Sequence, residues 1–146
     1  MDGVLTEGKV QATADNNFLR TFDIKDGFAL QFAVKQGIRI IIISGGHSSG
    51  VINRLKSLGI TEINTAVADK RKLLNQLVEE TSLNLSECVY MGDDYPDISV
   101  MNLCGVKACP ADAVWEIKNQ ADWISTANGG NGAVRELLEI ILRLQD

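Results

Sequence analysis

Three short stretches carry side chains suited to chemistry on a phosphate. "YMGDDYPD" gathers Asp93, Asp94 and Asp97 within five residues at the end of an apolar run. Carboxylates packed this closely repel unless a cation lies among them, and an all-oxygen donor set favours Mg2+. The competing reading is a solvated acidic loop, with Asp97 capping the next helix and Pro96 shaping its start. "ISGG" sets the Ser44 hydroxyl and the backbone N–H groups of Gly45 and Gly46 after a second apolar run, as an anion-binding turn or merely a tight one. Lys70 stands at a helix start, where it either neutralises a phosphate or carboxylate or lies in solvent beside Arg71 and Lys72.

Two further segments are weaker. "GGNGAVRE" puts Gly129, Gly130 and Gly132 before the last helix with Arg135 in its first turn. It lacks the third glycine and the later acidic residue of a dinucleotide loop, so a flexible connection carrying an anion-binding arginine is expected. His47 has no serine or cysteine triad around it and reads as a loop residue, with a substrate contact as the alternative. At the start of the sequence, Asp2-Gly3 has the form of a turn that follows a buried strand.

The elements that must position these residues alternate. "KVQATADNNFLRTFDIK" predicts a β-hairpin over residues 9–25, turning at Asp15-Asn16-Asn17. Asp26 is expected to cap a helix with Phe28, Ala29, Phe32 and Ala33 on its buried face, ended by Gly37. "IRIIIIS" reads as a strand buried on both faces. Helices starting at Ser48 or Ser49, near Asp69, near Asp97, around Ala113 and at Ala133 then alternate with strands at 62–67, "ECVYMGD", "GVKACP" and "ADWIS". This order implies a single α/β domain over 1–146, with a parallel sheet between helix layers and ligands at the carboxyl ends of its strands.

The bulk numbers exclude several classes. With 146 residues the chain buries one sizeable core, and no apolar run reaches the roughly 20 residues of a membrane span. A net charge of −5 without Lys/Arg clusters argues against nucleic acid. Cys88, Cys104 and Cys109 have no metal-like spacing and read as reduced core thiols in a cytoplasm.

Taken in order, Asp-Gly-Val-Leu-Thr, Ser-Gly after a buried strand, a lysine before a helix and Gly-Asp-Asp-x-x-Asp resemble the haloacid dehalogenase superfamily of phosphatases. "DGVLTEGKV", the hairpin leading to "FDIKDGFAL", "MGDDYPD" and "GGNGAVRE" are similar more narrowly to the 3-deoxy-D-manno-octulosonate 8-phosphate phosphatase family, which makes a lipopolysaccharide precursor. The resemblance implies a Rossmann-like three-layer fold with a hairpin flap and no large cap domain. It also implies Mg2+, a small phosphorylated sugar acid as substrate, and a cytoplasmic homotetramer.

It assigns roles as well. In that superfamily the first strand ends Asp-x-Asp-Gly, the first Asp being the nucleophile and the second the acid/base. Asp2 matches the second, with its carbonyl on the metal. Ser44, Gly45, Gly46 and Lys70 would hold the phosphoryl group, Asp93 would ligate Mg2+ with Asp94 and Asp97 in support, and Arg135 would reach substrate in a neighbouring subunit. Two departures stand out. Gly46 occupies the position where octulosonate-specific relatives often carry arginine and nine-carbon sugar-acid phosphatases can carry glutamate. Met1 occupies the middle of Asp-x-Asp, so the nucleophile would precede it. Acid/base help contributes about 10²–10⁴-fold and does not replace a nucleophile. The sequence as it stands is therefore expected to be a nearly inactive piece of a phosphatase lacking its central strand, or a non-catalytic assembly subunit.

Overall fold

The computed structural model describes residues 1–145. After one helical turn, in which Val4 and Leu5 donate to the Met1 carbonyl, the chain forms the hairpin of β1 (Gln11–Ala12) and β2 (Phe18–Leu19). Asn16 makes the turn at a φ of 61°, a left-handed conformation that asparagine tolerates. The strands proper are two residues each, and Thr13, Asp15 and Asn17 close the turn through side-chain bonds while Thr13 N–H donates to the Asn17 carbonyl at 3.0 Å.

Helix α1 (Ile24–Lys35) is capped by Asp23, which accepts from the Lys25 and Asp26 N–H groups, and not by Asp26 as the sequence predicts. Asp26 is instead buried, taking the Gly132 and Arg135 N–H groups at 3.2 and 2.8 Å. The buried face of α1 is Gly27, Ala29, Leu30 and Ala33, so Phe28 and Phe32 point outward, contrary to expectation. The small residues win the inner face because it lies against α6 (Ala133–Gln145).

The expected alternation then follows: β3 (Ile41–Ile43), α2 (Ser49–Ser57), β4 (Glu62–Asn64), α3 (Lys70–Thr81), β5 (Val89–Met91), α4 (Ile98–Met101), β6 (Val106–Cys109), α5 (Trp115–Gln120), β7 (Trp123–Ile124) and α6. Ser48 and Asp69 cap α2 and α3, accepting from Val51 and Lys72 N–H respectively. All strands after the hairpin pair in parallel, β3 with β4 in one sheet and β5, β6 and β7 in another. No helix of the described residues is long and apolar enough to cross a membrane.

β3 and β5 do not pair with each other. Between them lies a mainly apolar cavity of about 480 Å3, lined among others by Val4, Leu5, Ile41, Ile43, Val89 and Met91. The larger core cluster, with Leu30, Ile42, Leu55, Ile60 and Leu138, packs on the β3 side, and a smaller one around Met101, Cys109 and Ile117 packs on the β6 side. The carboxyl ends of β3 and β5 therefore face one rim from two separate sheets.

Candidate active site

At the end of β3 the chain turns sharply around Ser44, which is buried. Its N–H donates to the Asn64 carbonyl at 2.9 Å and its carbonyl accepts from Val67 N–H at 3.0 Å. Gly46 N–H donates to Ser44 Oγ at 3.3 Å, which leaves the Ser44 O–H as a donor for a ligand. Ala66 crosses beneath this turn at a φ of 55°, donating to the Gly46 carbonyl at 3.0 Å. A non-glycine residue held in the left-handed region stores strain where the turn must keep its shape.

The acidic loop after β5 resolves the ambiguity left by its sequence, and does so differently for each aspartate. Asp97 is buried, and both its oxygens are occupied. Oδ1 accepts from Lys70 Nζ at 2.6 Å and from the Tyr90 hydroxyl at 2.8 Å, while Oδ2 accepts from Asp93 N–H at 3.1 Å. Burial alone pushes the Asp97 carboxyl up, but the hydrogen bond and charge of Lys70 outweigh it and hold the carboxyl below its usual value. Tyr90 is driven far above the ordinary phenol value, first by burial and then by Asp97, so it remains a donor. These bonds make Asp97 the organiser of Lys70 and of the loop.

Asp94 is exposed and its Oδ1 accepts from Tyr95 N–H at 2.8 Å, capping the turn that leads into α4. Asp93 is the strained member. Its carboxyl is pushed up to about 6, first by burial and then by the Asp97 and Asp94 charges, against the pull of the Met1 amino group and Lys70.

The third wall is the first turn. Gly3 adopts a φ of 77°, and a Cβ there would lie 1.9 Å from Asp93 Oδ2, so only glycine lets the turn close over the acidic loop. Asp2, just before it, is held by a residue that the motifs do not reveal. Arg20, following β2, donates from Nε to Oδ1 at 2.8 Å and from Nη2 to Oδ2 at 3.1 Å. The Met1 amino group sits among Lys70, Asp97, Asp93 and Asp2, and burial followed by Lys70 holds it below its ordinary value.

These walls enclose a polar cavity of about 250 Å3 lined by Met1, Asp2, Ser44, Lys70, Asp93 and their neighbours Gly45, Gly46, Asp94 and Asp97. The sequence-predicted residues thus converge, with two exceptions. Arg135 lies on α6, its Nε bonded to Glu139 at 2.7 Å and its guanidinium 5.7 Å from the Phe28 ring, and it is not among the residues around this cavity. "GGNG" is close-packed where the sequence predicts flexibility: a Cβ at Gly129 would lie 1.9 Å from the Gly3 carbonyl oxygen, and Gly130 N–H donates to the Val4 carbonyl at 2.9 Å. His47 is exposed and its Nδ1 meets Thr65 Oγ1 at 3.0 Å, outside the cavity.

No three His, Cys, Asp or Glu side chains among the described residues converge enough to hold a metal on their own. Arg20 takes Asp2 and Lys70 takes Asp97 out of such a set. Asp93 and Asp94 remain as hard-oxygen groups lining the same cavity as Asp2. A small divalent cation at Asp93 would favour the ionised form that burial and the Asp97 and Asp94 charges disfavour.

Residues 56–137 match the family described as haloacid dehalogenase-like hydrolase. The chain belongs to that family. Over 145 residues it is 31% identical to the 3-deoxy-D-manno-octulosonate 8-phosphate phosphatase of Escherichia coli K12, covering 99% of this chain and 77% of that one. The phosphatase of the same name from Haemophilus influenzae is 29% identical over 145 residues, covering 99% and 81%. The crystal structure of the Moraxella catarrhalis phosphatase of that name, in complex with magnesium, phosphate and KDO, superposes with a TM-score of 0.92. It is 35% identical, covering 97% of this chain and 82% of its own. The haloacid dehalogenase-like fold and the phosphatase class predicted from the four ordered motifs are those of these relatives.

Proposed function

We propose that the protein hydrolyses 3-deoxy-D-manno-octulosonate 8-phosphate to the free sugar acid and phosphate with Mg2+, a step towards lipopolysaccharide. The convergence of Ser44, Lys70, Asp93 and Asp2 on one polar cavity at the carboxyl ends of the strands carries this reading. The printed function of the E. coli and H. influenzae relatives supports the choice of substrate.

Each residue has a task that its surroundings suit. The Ser44 hydroxyl and the Gly45 N–H group hydrogen-bond the transferring phosphoryl group, Gly46 N–H orients that hydroxyl by donating to it, and the Lys70 ammonium, fixed by Asp97, balances the phosphoryl charge. Asp93 with the Asp2 carbonyl would hold Mg2+, which when bound neutralises phosphoryl oxygens and lowers the cost of bringing an anionic nucleophile to them. Asp2 gives a proton to the departing sugar oxygen and later takes one from the attacking water.

The nucleophile in this reading is a carboxylate two residues before Asp2, on a strand lying parallel between β3 and β5. The apolar cavity separating those strands supports it. We further propose a cytoplasmic homotetramer. Its contacts would use the exposed apolar side chains of the hairpin and outer α1, namely Phe18, Leu19, Ile24, Phe28 and Phe32. Arg135, beside Phe28, would then contribute to a neighbour's site.

Phosphate release from the octulosonate phosphate and from a nine-carbon keto-deoxy sugar acid phosphate, with and without Mg2+, tests the reading on a chain extended upstream through such a strand. Mg2+-dependent release with preference for the octulosonate ester is expected. Release from neither ester would leave the non-catalytic assembly role.

A further inference from the structure

Arg20 stands apart from the residues that the motifs identify. It leaves the hairpin at the end of β2, yet its side chain is only 10% exposed and its fork grips both oxygens of Asp2. Its Nη1 donates to the Phe18 carbonyl at 3.1 Å, which braces the guanidinium against the hairpin backbone. The space it fills borders Gly46, since a Cβ at that position would lie 3.4 Å from Arg20 Nη2 and 3.7 Å from Asp2 Oδ2. Thr6 Oγ1 is the other donor near Asp2 Oδ1, and at 3.5 Å it makes a long, weak contact.

A bidentate arginine fixes the plane of a carboxylate as well as its place. A half-buried aspartate on a turn keeps rotational freedom about its side-chain bonds unless a partner fixes it, and a proton donor in the wrong plane loses alignment with the leaving oxygen. The hairpin thus reaches into the site through one side chain, which passes beside Gly46.

We propose that Arg20 is the positioning residue for the acid/base of this enzyme, setting Asp2 against the leaving-group oxygen from the hairpin. The inference rests on the reading of Asp2 given above. It separates Arg20 from two other roles, a reader of the substrate's carboxylate and a structural tie between hairpin and core.

The leaving group distinguishes these roles. A sugar alkoxide must be protonated as it departs, whereas p-nitrophenolate leaves without help. The test compares kcat/KM of the full-length enzyme, Arg20→Met and Arg20→Lys on a keto-deoxy sugar acid phosphate, a sugar phosphate without a carboxylate, and p-nitrophenyl phosphate. Because acid/base catalysis contributes about 10²–10⁴-fold, misplacing the acid in Arg20→Met is expected to cost both sugar esters roughly tenfold to a hundredfold. The aryl ester should change by less than about threefold, and Arg20→Lys should recover part of the loss, since a point charge restores attraction but not the fork. A loss confined to the carboxylate-bearing ester, an equal loss on all three, or no loss would overturn the proposal. Failure of the unsubstituted enzyme on all three esters would overturn the phosphatase reading itself and this inference with it.

Discussion

Two cavities meet at Met1, and they could hardly differ more. The larger, about 480 Å3, is walled mainly by apolar side chains such as Val4, Leu5, Ile41, Ile43, Val89 and Met91. The smaller, about 250 Å3, is walled by Asp2, Ser44, Lys70, Asp93 and Asp97. Volume therefore points to the wrong place. In a parallel α/β sheet the chemistry belongs at the carboxyl ends of the strands, and the apolar space alongside is a matter of pairing and packing. The two are coupled because the side walls of the polar cavity are the ends of β3 and β5, the same strands that flank the apolar one.

The contrast predicts that polar-cavity substitutions act mainly on turnover and apolar-cavity ones mainly on stability. Asp2→Asn, in a chain carrying the upstream nucleophile, should show the largest effect, about 10²–10⁴-fold less phosphate released from a sugar ester. Lys70→Met tests where the two properties join. It leaves the buried Asp97 carboxylate unpaired, so urea unfolding should lose about 3–5 kcal/mol in addition to a loss of turnover. Leu5→Ala, at a residue bordering the apolar cavity and 4% exposed, should cost about 2–5 kcal/mol by the same measurement.

Two further substitutions should have smaller effects. Burial raises the folded Asp26 carboxyl above its ordinary value, even though the Arg135 and Gly132 N–H groups pull it down. The folded state thus binds that proton more readily than the unfolded chain does. The group's contribution to stability is complete below the ordinary carboxylate range and is lost as pH rises through the raised value. The stability difference between wild type and Asp26→Asn, read from urea midpoints, should accordingly shift towards wild type as pH falls through that range. Arg39→Ala removes an exposed pair with Glu62 and should leave turnover unchanged with the smallest stability effect of the series.

Much of this was legible in the sequence. The continuous run of isoleucines, the Ser48 and Asp69 caps and the leucines of α3 specify local structure directly, and the elements lie where they predict. The aspartate loop was legible as a cluster but not in its division of labour, because spacing alone does not tell which oxygens Lys70 and Tyr90 will claim. Phe28 and Phe32 misled for a related reason. Helical spacing gives two apolar stripes on α1, and the close approach of α6 selects the one with small side chains. Arg20 left no trace in spacing, since its contact with Asp2 joins the hairpin to a turn 18 residues away.

The central claim is that the polar cavity becomes a phosphatase site when a strand between β3 and β5 delivers a carboxylate beside Lys70. The most direct test is phosphate release with Mg2+ from 3-deoxy-D-manno-octulosonate 8-phosphate by two chains extended upstream of Met1, one with Asp and one with Asn two residues before Asp2. The account predicts rapid release by the first and near-background release by the second. Equal release by both would contradict it.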